Sequence, residues 1–453
     1  MHVFVQSANE WLDGFIRDCI QRHIPEAIFY DDFANFPEDA EQTIQICNGW
    51  HLNPHFVALN KSRKGVLNAY PSSDGVSRKD HLARVIEYWT TKRPESQLRN
   101  HWPLTVRLSL DYSEYVDESL SAADDLSLLY SLEENEAKDP ADREWWILKP
   151  ALIDCGAGIR IFSTIKDLED CLELAESDDE CEGDDADDES EEPITLTRPG
   201  LDTLDGLVTA TGKLKVDESK PSQKWLTDET QRIPSASMRQ FVAQRYIISI
   251  PPIEGRKWHV RAYVMSLGRL KVYVYKELLA LLAVDEYRPP WTNPGLKSSL
   301  TNTSLQDADE VVEMESMRSW DSLPEDTLHG DWKADVFRQI CEISGEVLQA
   351  AAHTMGDKFT PLERCFELFA VDFLVDSNGT AWLLEVNETP AFYESGVAGP
   401  LSKGVMESVV SLAMGHIGYD GSQDEEIARS RMVQVLDETE KLGKSNISVI
   451  VPE

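Results

Sequence analysis

FELFAVDFLVDSNGTAWLLEVNETP, residues 366–390, reads as two apolar strands joined at Ser377-Asn378-Gly379. Asn-Gly between apolar runs is the strongest short hairpin signal and predicts a two-residue type I′ turn. Ser377 then pairs with Thr380, and counting back sets Asp372 directly opposite Glu385. Side chains alternate between sheet faces, so Glu385 and Asn387 share a face with Asp372. A four-residue loop would move the pairing by two and leave all three there. The other face collects Phe369, Val371, Phe373, Trp382, Leu384 and Val386, the pattern of a core. Acids are depleted in strands and seldom buried unpaired. Like charges directly opposed across a strand pair repel, so a positive group belongs between them. Two carboxylates and an amide oxygen are hard ligands that suit Mg²⁺, whose shell phosphate and water complete. The alternative is a pair of acids bonded to nearby Arg or Lys.

A nucleotide site also needs cations for the phosphates and a backbone that can approach them. In WWILKPALIDCGAGIRIF (145–162), Lys149 ends an apolar strand and Gly156-Ala157-Gly158 follows. Glycines permit positive φ, so amides can turn toward phosphate oxygens. A lone GxG equally makes a hairpin turn. GRKWHVRAYV (255–264) puts Lys257, His259 and Arg261 on one strand face, against Trp258, Val260 and Ala262 on the other. Lys276 ends the next strand, RLKVYVYKE. Arg78-Lys79 opens a helix, where a cation opposes the helix dipole unless an anion is near. Each residue alone is an ordinary solvated base, and His259 alone an ordinary packed histidine. Beside two inward carboxylates they form a set.

The chain of 453 residues is long enough for two or three domains at roughly 100–200 residues each. Its 42% hydrophobic content allows a full core. No apolar run is long enough for a membrane span. MHVFVQSANEWLDGF lacks a basic n-region and a clean apolar h-region, so no secretory signal is expected. Seven scattered cysteines without a CxxC pair suit a reducing compartment, the cytoplasm or the nucleus. A net charge of −38 argues against direct binding to nucleic acid or to anionic membrane.

Residues 176–192, ESDDECEGDDADDESEE, hold twelve acids in seventeen positions. Such a block cannot bury apolar area, and disorder is expected over about 176–231. It reads as an insertion within one domain, or else as an interdomain linker. Elsewhere strands and helices alternate. Strands are expected in MHVFVQ, HFVALNKS, WWILKPA, GIRIFS, RQFVAQRYI, KWHVRAYVMSL and RLKVYVYKE. Helices are expected around NEWLDGFIRDCIQRHI, SRKDHLARVIEYWTTKR, DWKADVFRQICEISGEVLQAAAHTM and KGVMESVVSLAMGHI. The stretch after about 420 is polar. The fold class is α+β or mixed α/β.

In order and content these segments resemble the tubulin–tyrosine ligase family, whose catalytic unit is an ATP-grasp fold. The matching stretches are LNKSRKGVLN with SRKDHL (59–82), WILKPALIDCGAGIRI (146–161), FVAQRYI with GRKWHVRAYVMS (241–266), LKVYVYKE (270–277), LTNTSLQ (300–306) and the hairpin 366–390. The resemblance implies a fold in which two α+β subdomains sandwich ATP. It divides the chain into an N-terminal α/β subdomain (1–75), a catalytic domain (76–395) and a C-terminal helix with a polar tail (396–453). It implies that Asp372, Glu385 and Asn387 hold Mg²⁺ or Mn²⁺ on ATP. Lys79 and Lys149 would contact phosphates under the loop of Gly156 and Gly158. Gln244, Arg245, Tyr246 and Ile247 would line the adenine pocket, with Lys257 and His259 near the nucleotide. Arg261, Lys276 and Asn302 would face the γ-phosphate and an acyl phosphate. Family members use ATP to join a carboxylate to an amine. Fungal proteins with this domain include ones associated with mRNA-processing bodies. The sequence departs from the family at His259, where an acid is usual, at Lys276, where Arg is usual, and at Ala157, often Arg. Without the twelve acids of 176–192 the net charge is still about −26, a poor match for an acidic tubulin tail.

Overall fold

The computed structural model describes residues 1–7, 9–37, 39–47, 56–62, 64–110, 115–152, 158–171, 240–292, 295–301, 316–419 and 423–439. The expected disordered stretch 176–231 lies outside the described residues, as do Gly156 and Asn302. The strands are β1 (His2–Gln6), β2 (Ile28–Tyr30), β3 (Gln42–Cys47), β4 (Lys64–Asn68), β5 (Thr105–Ser109), β6 (Trp146–Pro150), β7 (Arg160–Phe162), β8 (Gln240–Arg245), β9 (Arg256–Leu267), β10 (Lys271–Tyr275), β11 (Leu279–Glu286), β12 (Met317–Ser319), β13 (Cys365–Val375), β14 (Ala381–Asn387) and β15 (Met432–Asp437). Five helices carry most of the packing: α1 (Glu10–His23), α2 (Lys79–Lys92), α3 (Ser127–Asn135), α4 (Trp332–Thr354) and α5 (Ala398–His416). The class is mixed α/β.

Among the described residues the strands form two sheets. The large one runs β12-β11-β9-β13-β4-β3-β1-β2, with β14 beside β13, and β10 between β9 and β15. Strands β2, β1, β3, β4 and β13 are parallel, whereas β9 and β14 run antiparallel to β13. The small sheet is antiparallel, in the order β5-β8-β6-β7.

Alternation along β9 and β13 sorts the core into two layers. Val260, Ala262, Val264, Phe369, Val371 and Phe373 face α2 and α4. Met265, Leu267, Phe366 and Leu368 face α1 and α5. The helical stripes match these faces: Leu82, Val85, Ile86 and Trp89 of α2 and Val336, Ile340, Ile343 and Val347 of α4 are all buried. Asn9 caps α1 by accepting from the Leu12 amide at 3.2 Å. The small sheet packs Trp146, Leu148, Phe241 and Ala243 against Leu128 and Leu132 of α3.

Two expectations change. HFVALNKS is not a strand: Phe56–Leu59 is a helical turn, and the strand is KGVLN of β4. A short apolar run does not by itself distinguish the two. The polar stretch after 420 contains β15, which pairs with β10.

The hairpin reaches the expected pairing by another route. Its strands pair Val375 with Ala381 and Phe373 with Leu383, one residue off the register of a two-residue turn. Gly379 takes φ +80°. Asp376 accepts from the amides of Asn378 (2.8 Å) and Thr380 (3.0 Å) and from the indole of Trp382 (3.0 Å). That carboxylate satisfies a longer loop than the type I′ turn. A β-bulge at Leu384 then shifts the register by one, and Asp372 faces Glu385 as expected. The bulge also exchanges two leucines: Leu383 lies in the core, and Leu384 is half-buried.

Asp376→Ala leaves three donors without their acceptor. The expected loss is about 2–3 kcal/mol of stability in urea unfolding. A loss below about 0.5 kcal/mol would remove Asp376 from this role.

Candidate active site

One face of β9 and β13 changes character along its length. Under α1 and α5 it is apolar, with Met265, Leu267, Phe366 and Leu368. Further along, the same alternation presents Arg261, His259 and Lys257 from β9 and Asp372 from β13. Arg261 and Asp372 stand directly opposite each other. The guanidinium donates through Nε and Nη2 to the two carboxylate oxygens, both at 3.0 Å. Asn387 Nδ2 lies 3.2 Å from Asp372 Oδ2 and 3.5 Å from Glu385 Oε1. Lys79 brings its ammonium to 3.5 Å from Glu385 Oε2. The three hairpin residues therefore converge as the alternation requires.

The small sheet supplies further groups. Lys149 is buried at the end of β6 and donates to Gln244 Oε1 at 2.8 Å. Gln244 donates in turn to Thr105 Oγ1 at 3.1 Å. Backbone ties α2 to the small sheet here: the Lys79 amide donates to Ala151 O at 3.2 Å. Tyr246 packs with Ile147, Ile159 and Leu300 in an apolar cluster, and Ile248 lies against it. The ammonium of Lys257 sits 3.8 Å from the Tyr246 ring centroid. Ile247 is half-buried, whereas Arg245 is exposed and pairs with Glu144. Gly158 is buried with φ +71°. Lys276 is exposed beyond β10, and only its backbone amide has a partner among the described residues, Arg431 O at 2.9 Å. Sequence pattern gives no sign of Thr301 or Thr105, because an isolated threonine carries no periodicity.

The tubulin-tyrosine ligase family model matches residues 58–415. The chain belongs to the tubulin–tyrosine ligase family. It is 37% identical over 330 residues to a probable tubulin–tyrosine ligase of Schizosaccharomyces pombe, covering 72% of each chain. It is 31% identical over 339 residues to the probable tubulin–tyrosine ligase PBY1 of Saccharomyces cerevisiae, covering 73% of this chain and 40% of that longer one. Among solved structures it resembles the C-terminal domain of K. lactis Pby1, described as an ATP-grasp enzyme interacting with the mRNA decapping enzyme Dcp2. The TM-score is 0.62 at 23% identity, over 96% of this chain and 99% of that one. The fold is ATP-grasp.

In this member of the family the carboxylates stay ionised although Asp372 is buried and Glu385 half-buried. Burial pushes Asp372 up, but Arg261 and His259 outweigh it and hold the carboxyl below its usual range. Burial likewise opposes ionisation of Glu385, and Lys79 outweighs it. The lysines pay the opposite penalty. Burial lowers Lys149 to about 8 against the pull of Glu385, with Lys79 and Lys257 adding to the drop. Burial alone takes Lys257 to about 7. His259 is held below its ordinary value by burial, with Asp372 opposing. Its Nδ1 lies 2.6 Å from Thr301 Oγ1. Its Nε2 is buried without a hydrogen-bond partner, 3.7 Å from Asp372 Oδ2.

The described residues contain no cluster of three or more His, Cys, Asp or Glu that could hold a metal alone. Two carboxylates suit a hard divalent cation that takes its other ligands from phosphate and water, but here Arg261 occupies both Asp372 oxygens, Lys79 pairs with Glu385, and Asn387 turns its amide nitrogen toward them, the acid–base pairing that the sequence also allows.

An unfolded lysine keeps its proton to about pH 10.4. Between about pH 7 and pH 10 the unfolded chain therefore binds one more proton at Lys257 than the folded one, and this residue's contribution to stability rises with pH. Lys257→Met removes the burial penalty. It should raise the unfolding temperature at pH 6.5 by about 2–4 °C. The margin over wild type should shrink toward pH 10. A margin independent of pH would contradict the depressed ionisation.

Proposed function

We propose that the protein is an ATP- and Mg²⁺- (or Mn²⁺-) dependent carboxylate–amine ligase that adds an amino acid to a protein or small acceptor. The observation that supports this most is the ionised Asp372–Glu385 pair facing Arg261, Lys79 and Lys149. Phosphoryl transfer needs positioning and charge neutralisation more than a protein nucleophile. In this reading an acceptor carboxylate oxygen attacks the γ-phosphorus and ADP leaves. The amine then attacks the acyl carbon of the acyl phosphate, phosphate leaves, and the amine proton passes to solvent. Asp372, Glu385 and Asn387 would hold the cation, which neutralises charge on the phosphates.

Lys79 and Lys149 would contact phosphate oxygens, below the loop that carries Gly156 and Gly158. Gln244, Arg245, Tyr246 and Ile247 would border the base, with Lys257 and His259 beside the nucleotide. Arg261, Lys276 and Asn302 would serve the γ-phosphate and the acyl phosphate. Residues 76–395 would be the catalytic unit, between the N-terminal subdomain 1–75 and the C-terminal segment 396–453. The net charge of −38 disfavours tubulin as acceptor. Free cysteines among the described residues support the cytoplasm as its location.

A second reading is a protein-binding scaffold on the ATP-grasp fold. His259 in place of an acid supports it, as does the Dcp2 interaction of the K. lactis Pby1 domain. That reading would place the chain in mRNA-processing bodies.

Calorimetry of Mg·ATP on wild type and on Asp372→Asn with Glu385→Gln tests the site. The double variant should bind about 100-fold more weakly. Equal affinities would sink the cation assignment. Intact-mass proteomics of cells carrying wild type or Glu385→Gln tests the reaction. Amino-acid additions should vanish in the variant, and identical spectra would favour the scaffold.

A further inference from the structure

Strand β13 changes neighbours along one edge. Cys365 and Phe366 pair with Leu67 and Asn68 of β4, whereas Ala370–Val375 pair with β14. Among the described residues no strand pairs with that edge at 367–369. On one face of this fork a cavity of about 260 Å³ opens beside Leu368, among Ile16, Ile46, Phe392 and Met406. The other face carries Glu367, which alternation turns away from Leu368. The strap that leads from β4 to α2 crosses it there. The strap holds Tyr70, Ser73 and the helical turn Asp74–Ser77, and Arg78 then leads into Lys79.

Glu367 is 2% exposed. Its Oε2 accepts from the Tyr70 amide at 3.3 Å, and its Oε1 lies 2.9 Å from Ser73 Oγ. Ser73 Oγ is equally close, 2.9 Å, to Glu388 Oε2. A serine hydroxyl has one hydrogen. It cannot donate to two carboxylates at once, so two ionised acids would leave one short O···O contact without a proton. One of the acids must carry it. Glu388 is exposed to water, whereas Glu367 is buried and has no lysine or arginine partner among the described residues. The proton therefore belongs on Glu367. Its surroundings agree. Burial, then Glu388 just past β14 and Asp74 on the strap, raise its carboxyl well above the usual range, against the Ser73 hydroxyl and the Tyr70 amide. From β9 the residue opposite is the uncharged Ser266. The Ser73 carbonyl in turn accepts from the amides of Val76 (2.9 Å) and Ser77 (3.1 Å), which close the helical turn before Lys79.

We propose that Glu367 is a positioning residue: as a neutral acid it donates to Ser73 and accepts from Tyr70, and so holds the strap that delivers Lys79 to the phosphate site. The inference rests on the nucleotide reading of Lys79 above. An ionised carboxylate here would repel Glu388 and leave Ser73 without its second proton. Glutamine keeps both contacts, its carbonyl for Tyr70 and its amide for Ser73, and needs no proton to do so. Alanine keeps neither.

Calorimetry of Mg·ATP on the full chain tests the positioning, and urea unfolding tests the proton. Glu367→Gln should bind Mg·ATP within about twofold of wild type, and Glu367→Ala about tenfold more weakly. An unfolded glutamate loses its proton near pH 4.3. Above that the folded chain binds one proton more than the unfolded one, and this residue's contribution to stability falls as pH rises. The urea midpoint of Glu367→Gln should therefore gain on wild type between about pH 5.5 and pH 8. A margin that shrinks or stays constant overturns the neutral acid. So does a Gln variant that loses as much Mg·ATP affinity as the Ala variant. Unchanged affinity in folded Glu367→Ala overturns the positioning of Lys79. If that variant does not fold, Ser73→Ala removes the same link from the strap and takes its place. If neither folds, the affinity and pH margin of Glu367→Gln decide. Wild type failing to bind Mg·ATP overturns the nucleotide reading and the positioning role with it, while the pH margin still decides the neutral acid.

Discussion

Two carboxylates face each other across a buried strand pair, and neither could stay charged there unaided. Much of the site's architecture follows from that constraint. Arg261 comes from the neighbouring strand, Lys79 from the start of α2, and Lys149 from a different sheet. These cations are far apart in the chain, so the charge balance exists only once β9, β13, α2 and the small sheet are assembled. The polar site and the packing of the fold are therefore formed together.

The balance is incomplete in a useful way. Lys149 and Lys257 are buried enough to lose much of their affinity for protons. Burial holds His259 below its ordinary value, and its Nε2 has no hydrogen-bond partner. An anionic ligand would stabilise the charged lysines, so binding would relieve a penalty already present in the free protein. Such sites give up folding stability for preorganisation.

How much of this was legible in the sequence differs by element. The convergence of Asp372, Glu385 and Asn387 follows from alternation, because period-two geometry is insensitive to most turn details. The turn itself was misread: the Asp376 side chain supplies acceptors that a dipeptide signal does not reveal, and the bulge at Leu384 has no compositional mark. The face shared by Lys257, His259 and Arg261 was equally readable. Contacts between distant segments, such as His259 with Thr301 or Lys149 with Gln244, depend on tertiary packing and leave no periodic trace. HFVALNKS failed because four apolar residues satisfy a helical turn as well as a strand. The strand β15 lies in a stretch whose polar flanks hide it, although Met432 is buried and Val435 and Leu436 pack against the core.

β13 can also be viewed as a ruler. It presents Leu368 to an apolar chamber and Asp372 to the ionised cleft, on one face and in one extended backbone paired with β9 throughout. A loop between two such places could lengthen, shorten or bend. An interval of four strand residues cannot. Substitution at either end changes the chemistry presented there while the distance stays fixed.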